Sequence, residues 1–206
     1  MRVAVLGCTG RMGIAVVRAV AESRNAEVSG ALTQHDHPML NVDLGVVAGL
    51  PTMGVAVTND LATALEGADV AIDFTLPAAA QANLAACVKH HVALVMGTTG
   101  LNEAQQDMLT KAAGEIPIVY GRNMSVGVNV TTELARLAAR YLGQDWDTEI
   151  IEAHHRHKVD APSGTALQLG ETIANERGAD FSQAVILDRS SKSVSYTHLR
   201  AHETRH

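Results

Sequence analysis

Aromatic residues and cysteines are scarce in this chain, and long apolar runs are missing. Phe, Tyr and Trp together make up 3% of the 206 residues, which removes the stacking platforms that bind single-stranded nucleic acids. The two cysteines, Cys8 and Cys87, form no metal-binding pair and do not indicate a disulfide scaffold. No apolar run reaches the length that crosses a bilayer. Neither a membrane protein nor a nucleic-acid partner is therefore predicted.

Charge and composition indicate a globular protein with a small-molecule partner. The chain is 47% hydrophobic and 18% charged, with a formal net charge of −6. That composition can bury a core, and the acidic balance disfavours a phosphate backbone as partner. The apolar start, residues 1–7, is too short for a signal peptide. We expect a cytoplasmic protein.

Short apolar runs alternate with amphipathic ones over the first 120 residues. Apolar runs predict strands, and apolar residues at helical spacing predict helices. Strands are predicted at residues 3–6, 28–32, 55–57, 70–74, 93–96 and 118–120, and helices at 12–22, 60–65, 77–90 and 102–113. Such alternation is typical of an α/β fold with a parallel sheet covered on both faces. Its ligands bind beyond the carboxyl ends of the strands.

The remainder of the chain follows a different pattern. A helix is predicted at 128–141, a strand at 148–153 and a helix at 165–175. We predict a dinucleotide-binding domain at 1–126 and a partial α+β substrate-binding or oligomerisation domain at 127–189. Residues 36–54 are predicted to be rich in loops. The polar, aperiodic residues 190–206 are expected to be a non-native or disordered tail.

A glycine-rich turn follows the first predicted strand and opens the first predicted helix. Gly10 and Gly13 match the last two glycines of the G-x-G-x-x-G pattern, and the first is displaced to Gly7. In this context the turn predicts a Rossmann-type parallel sheet domain with a dinucleotide pyrophosphate at the helix N-terminus. A glycine turn without a ligand is the alternative.

The acidic residue that would bind an NAD ribose is missing after the second predicted strand. Thr33 and Gln34 stand there, and Asp36 comes later. A carboxylate at that place binds the ribose 2′-hydroxyl, so its absence removes one obstacle to a 2′-phosphate. NADPH is slightly favoured over NADH, and use of both stays open.

Loops of small and hydroxyl residues end three later strands. They are residues 73–77, 97–100 and 121–125. Each alone is ordinary turn chemistry, but three at successive strand ends favour a cofactor cleft.

A cationic cluster lies at His154–Lys158, in an otherwise acidic protein. The following Ser163-Gly164-Thr165 is typical of a helix N-terminus, whose amide groups can hold a carboxylate. Together they favour a small dicarboxylate ligand, and histidine can deliver a proton near neutral pH. A histidine metal site and a solvated surface loop are the less favoured alternatives.

The residues at 149–154 and 158–166, with the earlier loops in order and spacing, resemble the signature of the 4-hydroxy-tetrahydrodipicolinate reductase family over residues 1–188. The resemblance implies NADH- or NADPH-dependent reduction of a cyclic dicarboxylate in the diaminopimelate route to lysine. It implies proton transfer by His154 and Lys158, and substrate binding by His155, Gly164 and Thr165. It also implies cofactor binding by these residues: Gly7, Cys8, Thr9, Gly10, Arg11, Met12, Gly97, Thr98, Thr99, Gly121, Arg122, Asn123 and Met124. No metal is implied.

Two further functions stay open beside this one. The chain is alternatively another small NAD(P)-dependent dehydrogenase, or a nucleotide-binding fragment with impaired catalysis. Family members continue past the end of this chain and form homotetramers, so we expect an incomplete second domain that does not complete that assembly.

Overall fold

The computed structural model describes residues 1–153 and 162–186. The chain divides into two compact units, Met1–Arg122 and Asn123–His206. The tail predicted at 190–206 lies outside the described residues.

Unit 1 (residues 1–122) is built on a five-stranded parallel sheet. Its strands are β1 (Arg2–Leu6), β2 (Glu27–Leu32), β3 (Val70–Asp73), β4 (Ala93–Met96) and β5 (Ile118–Tyr120). Their order is β2-β1-β3-β4-β5, and all neighbours are parallel. The order reverses between β1 and β3, the position at which such sheets bind ligands. The predicted Rossmann-type sheet is confirmed.

Five helices of unit 1 cover the sheet. They are α1 (Arg11–Glu22), α2 (Leu44–Ala48), α3 (Leu61–Leu65), α4 (Ala80–His90, after a 3₁₀ turn at Pro77–Ala79) and α5 (Glu103–Ala112). A capping box starts α5: the Asn102 side chain accepts from the Gln105 backbone N–H, and the Gln105 side chain accepts from the Asn102 backbone N–H. This box satisfies two amide groups that the helix itself leaves without partners.

The core forms two apolar layers, one on each face of the sheet. Val3 and Val5 of β1 point into a layer with Val17 of α1 and Leu44 of α2. Ala4 and Leu6 point into the other layer, which α3, α4 and α5 complete. Alternation along β1 therefore buries both faces, which explains why the parallel strands read as continuous apolar runs.

The strand predicted at 55–57 was wrong. Ala56 forms an isolated bridge with Asp43, and Thr58 forms another with Leu32. The predicted loop-rich segment at 36–54 contains α2, because the Asp43 carboxylate organises this segment. It accepts hydrogen bonds from the amide groups of Gly45, Met53 and Gly54. These bonds, that of Met53 foremost, lower the pKa of Asp43.

Unit 2 (residues 123–206) contains only helices among its described residues. They are α6 (Val126–Leu142), α7 (Gly164–Glu176) and α8 (Phe181–Ala184). Arg136 of α6 bonds Glu133 at 2.6 Å and Glu176 of α7 at 2.7 Å, which holds the two helices together. The strand predicted at 148–153 was wrong, since no strand of unit 2 lies beside it within residues 123–153 and 162–186.

Candidate active site

The glycine turn lies at the carboxyl end of β1 and is hydrogen-bonded to the end of β2. The amide groups of Gly7 and Cys8 both donate to the Leu32 carbonyl, at 2.9 and 3.0 Å, and Gly10 donates to Gly7. Gly7 has a φ of +79°, a conformation that favours glycine. The turn therefore aims the start of α1 at the crevice between β1 and β3.

Gly13 lets α1 lie close to β1, and Gly10 leaves space beside the turn for a dinucleotide. A Cβ on Gly13 would lie 2.1 Å from the Gly7 carbonyl oxygen and 2.7 Å from Cys8 Cα, so only glycine lets α1 approach β1 this closely. A Cβ on Gly10 would meet only the Gly7 oxygen, at 3.3 Å. The first turn of α1 presents amide groups without helical partners. These residues fit a dinucleotide pyrophosphate.

Cys8 occupies the turn without exposing its thiol. The side chain is fully buried in the apolar layer of α1, and burial raises the pKa of the thiol to about 11. Only the backbone atoms of Cys8 can therefore make the predicted contact with a cofactor. Arg11 and Met12, by contrast, are exposed in the first turn of α1.

Thr33 stands where an acidic residue would read the ribose. Its hydroxyl lies 2.7 Å from that of Thr9 in the glycine turn, and either hydroxyl can be the donor. Thr33 is 6% exposed, so this hydroxyl pair is held between the ends of β1 and β2. The place is polar and carries no negative charge of its own.

The loops after β3 and β4 pack against each other. A Cβ on Gly97 would lie 2.1 Å from the Phe74 ring, so glycine lets the β4 loop lie against that ring. Thr98 is 1% exposed and donates to the Asp73 carboxylate, whereas Thr99 and Gly100 are exposed. Because the Thr98 side chain is buried, only its backbone can make the predicted contact with a cofactor.

Two residues of unit 1 at this edge were not predicted as site residues. Asp73 and Asn83 are buried and joined by a hydrogen bond of 2.9 Å. A signal was present in the sequence, because Asn83 lies on the buried stripe of α4 with Ala80, Leu84 and Cys87. A polar residue in such a stripe needs a partner, and Asp73 at the end of β3 supplies it.

In unit 2 the N-terminus of α7 carries the predicted substrate residues Gly164 and Thr165. Ser163 caps the helix by accepting from the Ala166 amide, and its own amide donates to Glu152 at 2.7 Å. The Asn123 amide donates to the Thr165 hydroxyl at 3.2 Å. The start of α7 is thus hydrogen-bonded to two earlier parts of the chain.

A cleft of about 380 Å³ in unit 2 contains some of these groups. Its lining consists of Asn123, Val128, Ile150, Ile151, Glu152, Ser163, Thr165, Ala166 and Leu169. A second cleft, of about 440 Å³, lies between α6, α7 and residues 148–151 and is mainly apolar. Only the first includes predicted site residues, so it is the better candidate for a polar ligand.

The other predicted residues fall in two groups. Gly121 and Arg122 follow β5 at the end of unit 1, and Asn123 and Met124 begin unit 2. His154, His155 and Lys158 lie outside the described residues.

Two kinds of site are missing from residues 1–153 and 162–186. No group of three His, Cys, Asp or Glu side chains there could hold a metal ion. No helix there is both long and apolar enough to cross a membrane.

Comparison with known proteins assigns both parts of the chain to one family. The family model described as Dihydrodipicolinate reductase, N-terminus, matches residues 1–124, and the one described as Dihydrodipicolinate reductase, C-terminus, matches residues 127–205.

Curated relatives share up to half of their aligned residues with this chain. The 4-hydroxy-tetrahydrodipicolinate reductase of Alkalilimnicola ehrlichii is 50% identical over 192 residues, which cover 93% of this chain and 72% of the relative. That of Nitrosomonas europaea is 46% identical over 193 residues, covering 94% and 72%. The dipicolinate-bound dihydrodipicolinate reductase from Paenisporosarcina sp. TG-14 is 32% identical with a TM-score of 0.69, covering 86% of this chain and 66% of that one.

The sheet, the glycine turn and these relatives define an oxidoreductase that uses NADH or NADPH. The predicted enzyme class and cofactors are confirmed. The chain belongs to the dihydrodipicolinate reductase family. The family acts in lysine and diaminopimelate synthesis. The reductase function predicted from the sequence is therefore confirmed, and it is favoured over the alternative of another small dehydrogenase.

Proposed function

We propose that this chain itself reduces 4-hydroxy-tetrahydrodipicolinate to tetrahydrodipicolinate with NADPH or NADH. The observation that carries the proposal is the glycine turn at the sheet's reversal point, in a chain whose relatives bear that reductase name. The solved relative was captured with dipicolinate, a planar dicarboxylate, which supports a small dicarboxylate as substrate. When bound, the nicotinamide nucleotide supplies a hydride to the substrate.

In this proposal unit 1 holds the nucleotide. The amide groups at the start of α1, next to Gly10 and Met12, bind the pyrophosphate. The adenosine ribose meets Thr9 and Thr33, because the ribose of such nucleotides lies at the end of the second strand. The nicotinamide side then falls to the β4 and β5 loops of unit 1, through Gly97, Thr98 and Thr99 and through Gly121 and Arg122.

The start of α7 binds a substrate carboxylate in this proposal. The amide groups of Gly164 and Thr165 face out of the helix N-terminus, where an anion is stabilised by the helix dipole. The Thr165 hydroxyl accepts from Asn123, which leaves its proton available for a carboxylate oxygen. His155 would bind the carboxylates as well, following the family pattern.

His154 and Lys158 carry the proton transfers in this proposal. The net change loses water from the substrate and adds one hydride and one proton across a conjugated imine. A protonated lysine beside that imine both offers the proton and stabilises the negative charge that develops. Histidine can exchange a proton near neutral pH.

A direct assay tests the proposed activity. We expect this chain to oxidise NADPH or NADH only when the cyclic dicarboxylate is supplied, and we expect dipicolinate to inhibit that oxidation because it matches the substrate's two carboxylates. Absorbance of the reduced nicotinamide measures the rate. Oxidation at the same rate without the dicarboxylate, or none above background with it, would contradict the proposal.

Cofactor preference depends on Thr33 in this proposal. Replacement by aspartate, Thr33→Asp, is expected to lower kcat/KM for NADPH by about 10- to 100-fold, because a carboxylate would repel the 2′-phosphate. The value for NADH is expected to hold or rise, since the same carboxylate can accept from a ribose hydroxyl. Thr33→Val is the matched control, because it removes the hydroxyl without adding charge. Equal losses for both cofactors in Thr33→Asp would contradict the assignment of Thr33 to the ribose.

Location and assembly complete the proposal. A cytoplasmic location agrees with a biosynthetic reaction that consumes a nicotinamide nucleotide. Light scattering at several protein concentrations measures the oligomeric state of this chain.

A further inference from the structure

The carboxylate of Asp73 is the centre of a buried polar network at the carboxyl edge of the sheet. Asp73 is 0% exposed. Its Oδ1 accepts from the Thr75 amide at 2.7 Å, the Thr75 hydroxyl at 2.6 Å and the Thr98 hydroxyl at 3.1 Å. Its Oδ2 accepts from the Asn83 amide at 2.9 Å. None of the ion pairs among the described residues includes Asp73.

The partners of Asp73 bond one another as well. Asn83 also donates to the Thr75 hydroxyl at 3.1 Å, and the Thr98 hydroxyl lies 3.3 Å from the Thr75 carbonyl. The Thr75 hydroxyl therefore donates to Asp73 while it accepts from Asn83. Asn83 and Thr98 are each 1% exposed, so a lost partner would leave a buried polar group unsatisfied.

The network joins three segments that end at the candidate cofactor cleft. Thr75 belongs to the β3 loop, Thr98 to the β4 loop, and Asn83 to α4 behind them. A Cβ on Gly7 would lie 3.1 Å from the Thr75 methyl group, so the same side chain also contacts the glycine turn. The backbone positions of both loops thus depend on one carboxylate.

We propose that Asp73 is a positioning residue, which sets the β3 and β4 loops at the distance that the nicotinamide end of the nucleotide requires. This inference rests on the proposed function. Asp73 is covered by its own partners, so it acts through Thr75 and Thr98 and does not touch the nucleotide.

The substitution Asp73→Asn tests the inference. The amide keeps the shape of the side chain, but its nitrogen opposes the Asn83 amide nitrogen and the charge is lost. We expect Kd for NADPH to rise about tenfold and kcat to fall about 10- to 100-fold, because small displacements of reacting groups have effects of this size. We expect Kd for 2′-phospho-ADP-ribose, which lacks the nicotinamide, to change less than about twofold. Calorimetry measures both Kd values without turnover.

Asp43→Asn is the matched control. Asp43 also accepts several backbone amide bonds in unit 1, but it holds α2 and not the cleft loops. We expect it to lower the thermal midpoint, as Asp73→Asn does, and to leave kcat and the ratio of the two Kd values at wild-type levels. An equal effect of the two variants on that ratio would overturn the inference.

A pair of variants at Thr98 covers the case in which Asp73→Asn does not fold. Thr98→Ser keeps the hydroxyl and Thr98→Val removes it, so the selective loss of NADPH affinity is expected to be about fivefold or more larger in Thr98→Val than in Thr98→Ser. Identical behaviour of the two overturns the inference. Normal NADPH binding by Asp73→Asn would overturn the inference about Asp73 and leave the proposed function standing. A wild-type chain that binds no nucleotide would overturn both.

Discussion

Replacing Lys158 by alanine is expected to lower kcat by about 10²- to 10⁴-fold, the usual contribution of a positioned proton donor. The same change is expected to leave Kd for NADPH within about twofold, because the glycine turn and the strand-end loops that bind the nucleotide in our proposal belong to unit 1. His154→Ala is expected to act in the same direction. Steady-state kinetics give kcat, and fluorescence of the bound nicotinamide gives Kd.

Lys111→Ala is the matched control for this prediction. Lys111 is exposed in the last turn of α5, so its loss removes the same charge from the chain without touching a proposed site residue. We expect both kcat and Kd to stay at wild-type values. If Lys158→Ala instead weakened NADPH binding and left kcat unchanged, the assignment of proton transfer to Lys158 would be wrong.

Replacing Gly13 by alanine is expected to destabilise unit 1 by about 3 kcal/mol, the upper end of the range for overfilled sites. The new Cβ would lie 2.1 Å from the Gly7 oxygen and 2.7 Å from Cys8 Cα, and both are backbone atoms. The strain can be relieved only if α1 moves away from β1. A fall of about 10 °C in the thermal midpoint is expected for a unit of this size, together with a loss of nucleotide binding.

Gly10→Ala separates folding from binding at the same turn. Its φ is −77° and a Cβ there would lie 3.3 Å from the Gly7 oxygen, so alanine is far less strained. We expect a small change in the thermal midpoint but a clear loss of NADPH affinity, because the methyl group would occupy the space of the pyrophosphate. A thermal midpoint of Gly13→Ala that equals that of Gly10→Ala would contradict our account of the close packing of α1.

The sequence predicted the sheet of unit 1 closely because its strands are short apolar runs between clear turn residues. The bounds of β4 and β5 agree with the prediction, and β1 and β2 begin one residue earlier than predicted. The failures have a different cause. Helix α2 is five residues long, too short to show a helical period, and Asp43 organises it by reaching Met53 and Gly54.

The strand predicted at 148–153 is not formed because no neighbouring strand is present among the described residues of unit 2. Its β-branched residues favour a strand, but a strand needs a neighbour to satisfy its backbone, and the described residues of unit 2 supply none. Local pattern carries no information on whether that neighbour exists.

The candidate site was predictable where it depends on local sequence. The glycine turn and the start of α7 each combine a few adjacent residues, so their form follows from motif and capping rules. The Asp73 network joins residues up to 25 positions apart. The pairing of β3 with β4 and the contact of α4 with the end of β3 bring these residues together.

The two cysteines make each face of the sheet observable. Cys8 is buried in the apolar layer on one face and Cys87 in the layer on the other, and burial raises the thiol pKa to about 11 and about 12. Thiol reagents react with the thiolate, so neither cysteine can be labelled until its own layer opens. The rate of labelling at each cysteine therefore measures how often its own apolar layer opens, independently of the other layer.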